Sequence, residues 1–227
     1  MKKSVLILIY LIFINISAYS YDFSAVDDLV SGGIINHAFP GAQLIIGDNN
    51  DILYSKCYGN FTYDEFSSPV TDESIYDLAS VTKVVATTSA VMILYEQQKF
   101  NLTDKVSAYI PEFGNNGKED LTILNLLLHN SGLTAFVPFY KTYSTRSEVL
   151  DAIYNIGLEY QPETKSIYSD INAVMLGLLV EKISGMDLNE FCKKNIFIPL
   201  DMHSTMFIPD EKLKERIVPT EYDSYWR

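Results

Sequence analysis

Cysteine, histidine and basic side chains are all scarce in this 227-residue chain. Its two cysteines, Cys57 and Cys192, would meet an oxidising compartment if the chain is exported. A pair could form there, and spacing alone does not decide whether it does. Neither cysteine stands at metal-ligand spacing from His37, His129 or His203. No cysteine–histidine metal site is therefore expected. Lys and Arg number 17 against 29 Asp and Glu, a formal net charge of −12. Such a surface repels nucleic acid and anionic lipid, so neither is an expected partner. The acids are scattered, as on a solvated surface. Internal repeats, low-complexity tracts and long apolar runs after residue 20 are also missing.

What is present begins with an export signature. Lys2 and Lys3 precede an apolar stretch, Val5 to Ile16, broken only by Asn15. Ala18 and Ser20 sit where small residues precede a cleavage site, before Tyr21. Residues 1–20 read as a secretory signal peptide, which places the product in the periplasm or outside the cell. An uncleaved anchor is the alternative, but the run is short for a membrane span. No later segment is long and apolar enough to span one. Residues 21–227, 48% apolar over the whole chain, then form one expected domain with an ordinary core.

Periodicity predicts a helix over 22–37, with Phe23, Val26, Leu29, Val30 and Ile34 at helical spacing. Strands are predicted over 42–46 and 52–58 around a turn at 47–51. Residues 59–77 read as loop. Val81 to Gln97 is apolar nearly all round, which predicts a central buried helix. Thr122 can cap a helix reaching Leu128, and 147–156 is another short helix. Asp170 can cap 171–183, closed by Ser184-Gly185. Asp187 and Glu190 have capping-box spacing for a helix over 188–196. The pattern is one early hairpin followed by a long helical region.

Ser80-Val81-Thr82-Lys83 is the stretch that carries chemistry. Positions i and i+3 share a helix face, so the lysine amine can sit beside the serine oxygen and take its proton. A helix N-terminus favours negative charge developing at that oxygen. Desolvation would lower the Lys83 pKa and make the neutral amine accessible. The same residues also fit a plainer arrangement, with Ser80 as an N-cap and Lys83 reaching to solvent. Tyr168-Ser169-Asp170 precedes an apolar helix, and a tyrosine near a lysine can pass a proton to a leaving group. It also fits a simple helix cap. His129, in His129-Asn130-Ser131-Gly132-Leu133, fits a structural hydrogen bond near a helix end better than a catalytic base.

In this order the segments resemble the serine β-lactamase and penicillin-binding-protein superfamily, in its class C-like branch of esterases and D-amino-acid peptidases. The carriers are Phe39-Pro40-Gly41-Ala42, Tyr58-Gly59, residues 75–83, residues 126–133, Tyr168-Ser169-Asp170 with Leu176-Gly177, and Pro199-Leu200-Asp201-Met202. The resemblance implies an α+β fold, an antiparallel sheet flanked by helices plus a mostly helical region. It implies Ser80 as acylated nucleophile, Lys83 as its base, Tyr168 as partner acid/base and Asp170 as a substrate-binding residue where many members have Asn. The expected substrate is a small molecule or peptide: an ester, a β-lactam or a D-Ala-type peptide. The sequence sets no oligomeric state.

One departure is large. The family's third motif, Lys-Thr-Gly or His-x-Gly on a strand beside the site, has no counterpart. His203 stands in His-Ser-Thr, and Lys141-Thr142 is followed by Tyr143. The family's C-terminal strands are missing with it. The chain therefore reads as the N-terminal part of a family member. The alternative to a working hydrolase is an impaired remnant, or a module that binds cell-wall peptide or a partner chain without turnover.

Overall fold

A computed structural model describes residues 21–220; the expected signal peptide lies outside the described residues. The chain divides into two compact units. One runs up to Tyr76 and resumes at Arg216, and the other is Asp77–Glu215.

The first unit holds helix α1 (Ser24–Ile35) and the antiparallel strands β1 (Gly41–Gly47) and β2 (Ile52–Gly59). These match the expected helix and hairpin to within two residues. The register runs from Gly41 opposite Gly59 to Ile46 opposite Tyr54, with an irregularity at Gly47. Asp48 shapes the turn, its Oδ1 accepting the Asn50 and Asp51 backbone N–H groups at 2.8 and 2.9 Å. Tyr54, Lys56 and Tyr58 alternate along β2 and so share one face. All three converge on Asp27 of α1. Its Oδ1 accepts the Tyr54 hydroxyl at 2.6 Å and the Tyr58 hydroxyl at 2.8 Å, and pairs with Lys56. Helix α1 buries no residue fully, so this polar cluster is its firmest tether. Ile217 returns to bridge Ile75, and Arg216 pairs with Glu73 at 2.9 Å.

The second unit is helical and contains the whole buried apolar cluster, including Ala90, Val91, Leu126, Ile153, Met175 and Phe197. Its central helix runs over 81–96: a π-helical segment, Lys83–Thr88, leads into α2 (Ser89–Glu96). Around it lie α3 (Ile123–Leu127), α4 (Arg146–Asn155), α5 (Asp170–Ser184) and α6 (Leu188–Cys192). Thr122 caps α3 through a reciprocal box with Asn125, and Thr145 caps α4 with Glu148. Helix α5 ends at Gly185 in the left-handed region (φ 71°), as the Ser-Gly signal predicts. Its N-cap is Ser169 rather than Asp170, which is the first helical residue.

One expectation is corrected. The central helix is not buried all round: Ala86, Ala90, Val91 and Leu94 are buried, while Val84 and Met92 are 66% and 64% exposed. An apolar circumference identifies the helix, but cover depends on neighbours, and the described residues cover one face. Farther along the chain, Glu211–Arg216 forms a 3₁₀ segment. Among the described residues the sheet has two strands, and both cysteines are free thiols.

Lys118 is an unusual core member, fully buried. Its Nζ donates to Asn115 Oδ1 at 3.0 Å, to the Tyr154 carbonyl at 3.1 Å and to the Ile156 carbonyl. Burial pushes its pKa down. The ammonium closes the C-terminal end of α4, where the helix dipole favours a cation.

Candidate active site

Ser80 sits on the turn that opens the central helix. Ala79 before it lies in the left-handed region, φ 44°, and its N–H donates to Asp77 Oδ1 at 2.8 Å. The Ser80 carbonyl accepts the Lys83 N–H, which starts the helix and leaves the Ser80 side chain exposed. The Lys83 Nζ is 3.0 Å from Ser80 Oγ and 2.9 Å from Asp170 Oδ1. Widening of the helix over Lys83–Thr88 is the kind of irregularity that collects at functional positions.

Tyr168 joins from another direction. Its hydroxyl lies near enough to Lys83 and Ser80 for both to shift its pKa, and the Lys83 ammonium lies 5.2 Å from its ring centroid. The segment before α5 is laid against residues 128–135. Ser166 Oγ donates to the Leu128 carbonyl, Ile167 N–H to that of His129, Ser169 Oγ to that of Thr134 and Asp170 N–H to that of Ala135. Close packing there needs Gly132, whose φ is 85° and where a Cβ would come within 2.2 Å of the Tyr160 carbonyl oxygen.

The electrostatics correct one expectation. Burial alone would depress the Lys83 pKa. Hydrogen bonds from Tyr168 and Asp170, with their charges, outweigh it and raise the pKa above the ordinary lysine value. Resting Lys83 is an ammonium. Its hydrogen bond, then that of Ser80, lowers the Tyr168 pKa below that of an ordinary phenol. Ammonium and phenolic oxygen thus favour each other's charged form, beside a Ser80 hydroxyl whose proton only the phenolate form of Tyr168 could accept.

All four residues singled out in the sequence, Ser80, Lys83, Tyr168 and Asp170, meet in one cluster. His129 does not touch Ser80 in this way. It lies behind Tyr168, ring centroids 4.9 Å apart. Two features were missed. Asn172, fully buried, joins His129 at 3.1 Å, and its place in an apolar helix gave no signal. A cleft of about 550 Å³ adjoins the cluster, lined by Thr82, Lys83, Asp170 and Val174 and reaching the Arg146–Glu181 ion pair. Its walls come from the central helix, α4, α5 and the first residue of α6, Leu188.

Comparison with known proteins yields a consistent set of matches. Residues 26–225 match the family model described as Beta-lactamase. An N-acetylmuramyl-L-alanine amidase of Bacillus subtilis (strain 168) is 33% identical over 77% of this chain and 44% of its own length. A protein named "Putative D-alanyl-D-alanine carboxypeptidase" from Escherichia coli (strain K12) is 34% identical over 77% of this chain and 45% of its own. The chain thus spans less than half the length of these curated relatives. Among solved structures, a class C β-lactamase superimposes with TM-score 0.73 at 22% identity, covering 86% of this chain and 53% of that one. FmtA from Staphylococcus aureus gives TM-score 0.73 at 25% identity, with 87% and 55% covered. No helix among the described residues is long and apolar enough to cross a membrane.

Proposed function

This chain belongs to the beta-lactamase family, and from that premise we propose that it is a serine acyl hydrolase or the acylating part of one. The observation that carries the reading is the convergence of Ser80, Lys83 and Tyr168, with Lys83 Nζ 3.0 Å from Ser80 Oγ. In the proposed reaction Tyr168 acts as the phenolate that the Lys83 ammonium stabilises, and Ser80 Oγ bonds to a substrate carbonyl carbon while its proton passes to that phenolate oxygen. The carbonyl electron pair moves to oxygen, which the Ser80 backbone N–H stabilises. Collapse breaks the bond to the leaving group, which takes the proton from Tyr168. Water then repeats the sequence on the acyl-enzyme and frees Ser80.

Asp170 holds Lys83 at 2.9 Å and faces the same cleft, so it is the proposed contact to the substrate's polar backbone. The favoured substrates are D-Ala-type peptides, because the curated relatives include a protein named for that bond. Simple esters and β-lactams are the other members of the set. The residue-80 chemistry calls on no metal or cofactor. A product active outside the cytoplasm is part of the same proposal.

A second reading is an impaired or purely binding protein. It is favoured by the ion pair between Lys83 and Asp170, 2.9 Å, which occupies the amine that would otherwise serve as a base. Purified protein treated with a fluorescent penicillin and a fluorophosphonate separates the readings. We expect weak labelling that disappears in Ser80→Ala. Labelling that survives Ser80→Ala would remove Ser80 as nucleophile, and complete silence in the parent chain would favour the binding reading.

A further inference from the structure

His129 is outside the reaction sequence just described, yet it holds the reacting tyrosine from both sides. Its carbonyl accepts the Ile167 N–H at 2.8 Å, and its Nδ1 accepts the Ser169 N–H at 3.1 Å. Tyr168 lies between those two anchors, and its ring packs on the imidazole.

The hydrogen-bond chain fixes which nitrogen carries the proton. Leu133 N–H donates to Ser131 Oγ at 3.2 Å, and the Ser131 hydroxyl donates to Asn172 Oδ1 at 2.7 Å. That leaves the Asn172 amide NH₂ to donate to His129 Nδ1 at 3.1 Å. A backbone N–H and an amide NH₂ can only donate, so Nδ1 must be bare and the proton must sit on Nε2. Ser131, Ser169 and Asn172 are completely buried, so no solvent replaces a lost partner. Protonating Nδ1 would break two buried hydrogen bonds at once.

We propose that His129, as the neutral Nε2–H tautomer, is a positioning residue that sets the place of Tyr168 against Lys83 and Ser80. The role rests on the reading of Tyr168 as the acid/base partner. The titratable groups facing the imidazole are Lys83 on the central helix, Tyr168, and Asp170 on α5. Burial, then the Lys83 charge, hold His129 below its ordinary pKa against the opposing pull of Asp170, which keeps Nδ1 free at neutral pH.

The test uses two nuclear magnetic resonance measurements that need no turnover. In tag-free protein with ¹⁵N-labelled histidine, one of the three imidazoles should show an unprotonated Nδ1 and a protonated Nε2 at pH 7. His129→Asn should remove that signal and no other. In protein with ¹³C-labelled tyrosine rings, Tyr168 should titrate below the ordinary tyrosine midpoint. His129→Asn should preserve that shift, because the asparagine oxygen replaces Nδ1 as acceptor and asparagine tolerates the left-handed backbone, φ 53°. His129→Leu removes the acceptor and should return Tyr168 most of the way to the ordinary midpoint. A protonated Nδ1 in the parent protein would overturn the proposal even if the leucine variant fails to fold. So would a folded leucine variant with an unmoved Tyr168. Failure of Ser80 to label in the parent would instead defeat the acyl-transfer reading and leave these spectra unchanged.

Discussion

The hairpin unit and the helical unit are held together by different physics. The helical unit is built on burial, with Val106, Ile110, Phe113, Leu126 and Met175 all at zero exposure. The hairpin unit buries little outright beyond Tyr58 and Val70, and secures α1 by gathering hydroxyls and an ammonium on Asp27. Apolar burial is non-directional and adds with area. A carboxylate cluster is directional and depends on pH. The helical unit can therefore hold Ser80, Lys83, Tyr168 and Asp170 in register whatever the protonation of its surface. The hairpin unit rests on carboxylates, Asp27 above all, whose titration loosens it.

The largest expected effect breaks the stronger side of this contrast. Leu126→Ala removes a fully buried side chain at the end of α3, directly before the residues that support Tyr168. We expect a loss of about 2–5 kcal/mol in urea denaturation. Amide exchange would rise first in α3 and α5. If β1 and β2 amides lost protection at the same denaturant concentration, the two units would be one cooperative body and the contrast would fail.

A smaller effect probes the other side. The Lys56 hydrogen bond, then those of Tyr54 and Tyr58, lower the Asp27 pKa from 3.8 to about 2. A depressed carboxylate contributes stability above its unfolded pKa and loses it as pH falls through the folded one. Protection of β1, β2 and α1 amides should therefore hold at pH 5 and fall between about pH 4 and pH 2. Asp27→Asn should show the acid-state exchange already at pH 5 and remove the pH step. A pH step that persists in Asp27→Asn would assign it to other carboxylates.

The same contrast explains what was legible beforehand. Local signals worked wherever structure is local. The alternation in β2, the Thr122 and Asp187 caps and the Ser184-Gly185 stop placed elements to within a few residues. The Ser80 to Lys83 spacing and the Tyr168 segment supplied the whole candidate cluster, because short motifs encode their own backbone geometry. What sequence could not supply was cover and charge coupling. Nothing in Val81 to Gln97 reveals that Met92 stands in the open. Nothing near Lys83 reveals that Tyr168 and Asp170 would reverse the effect of its burial. Asn172 was hidden because its partner, His129, is 43 positions away.

The smallest effect concerns a strained residue next to Ser80. Ala79 has φ 44°, a conformation that costs an L-residue about 1–2 kcal/mol. Glycine removes that cost but loses roughly 0.5–1 kcal/mol through its freer unfolded chain. Ala79→Gly should thus stabilise the helical unit by about 0.5–1 kcal/mol, read as a raised urea midpoint in α2 and α5 exchange. The Asp77 bond to the residue 79 N–H survives the change, so Ser80 should keep its place. Penicillin labelling of Ser80 should then stay within about twofold of the parent, a barrier change under about 0.5 kcal/mol. A large fall in labelling with unchanged stability would mean that the alanine methyl, rather than the Asp77 turn, orients Ser80.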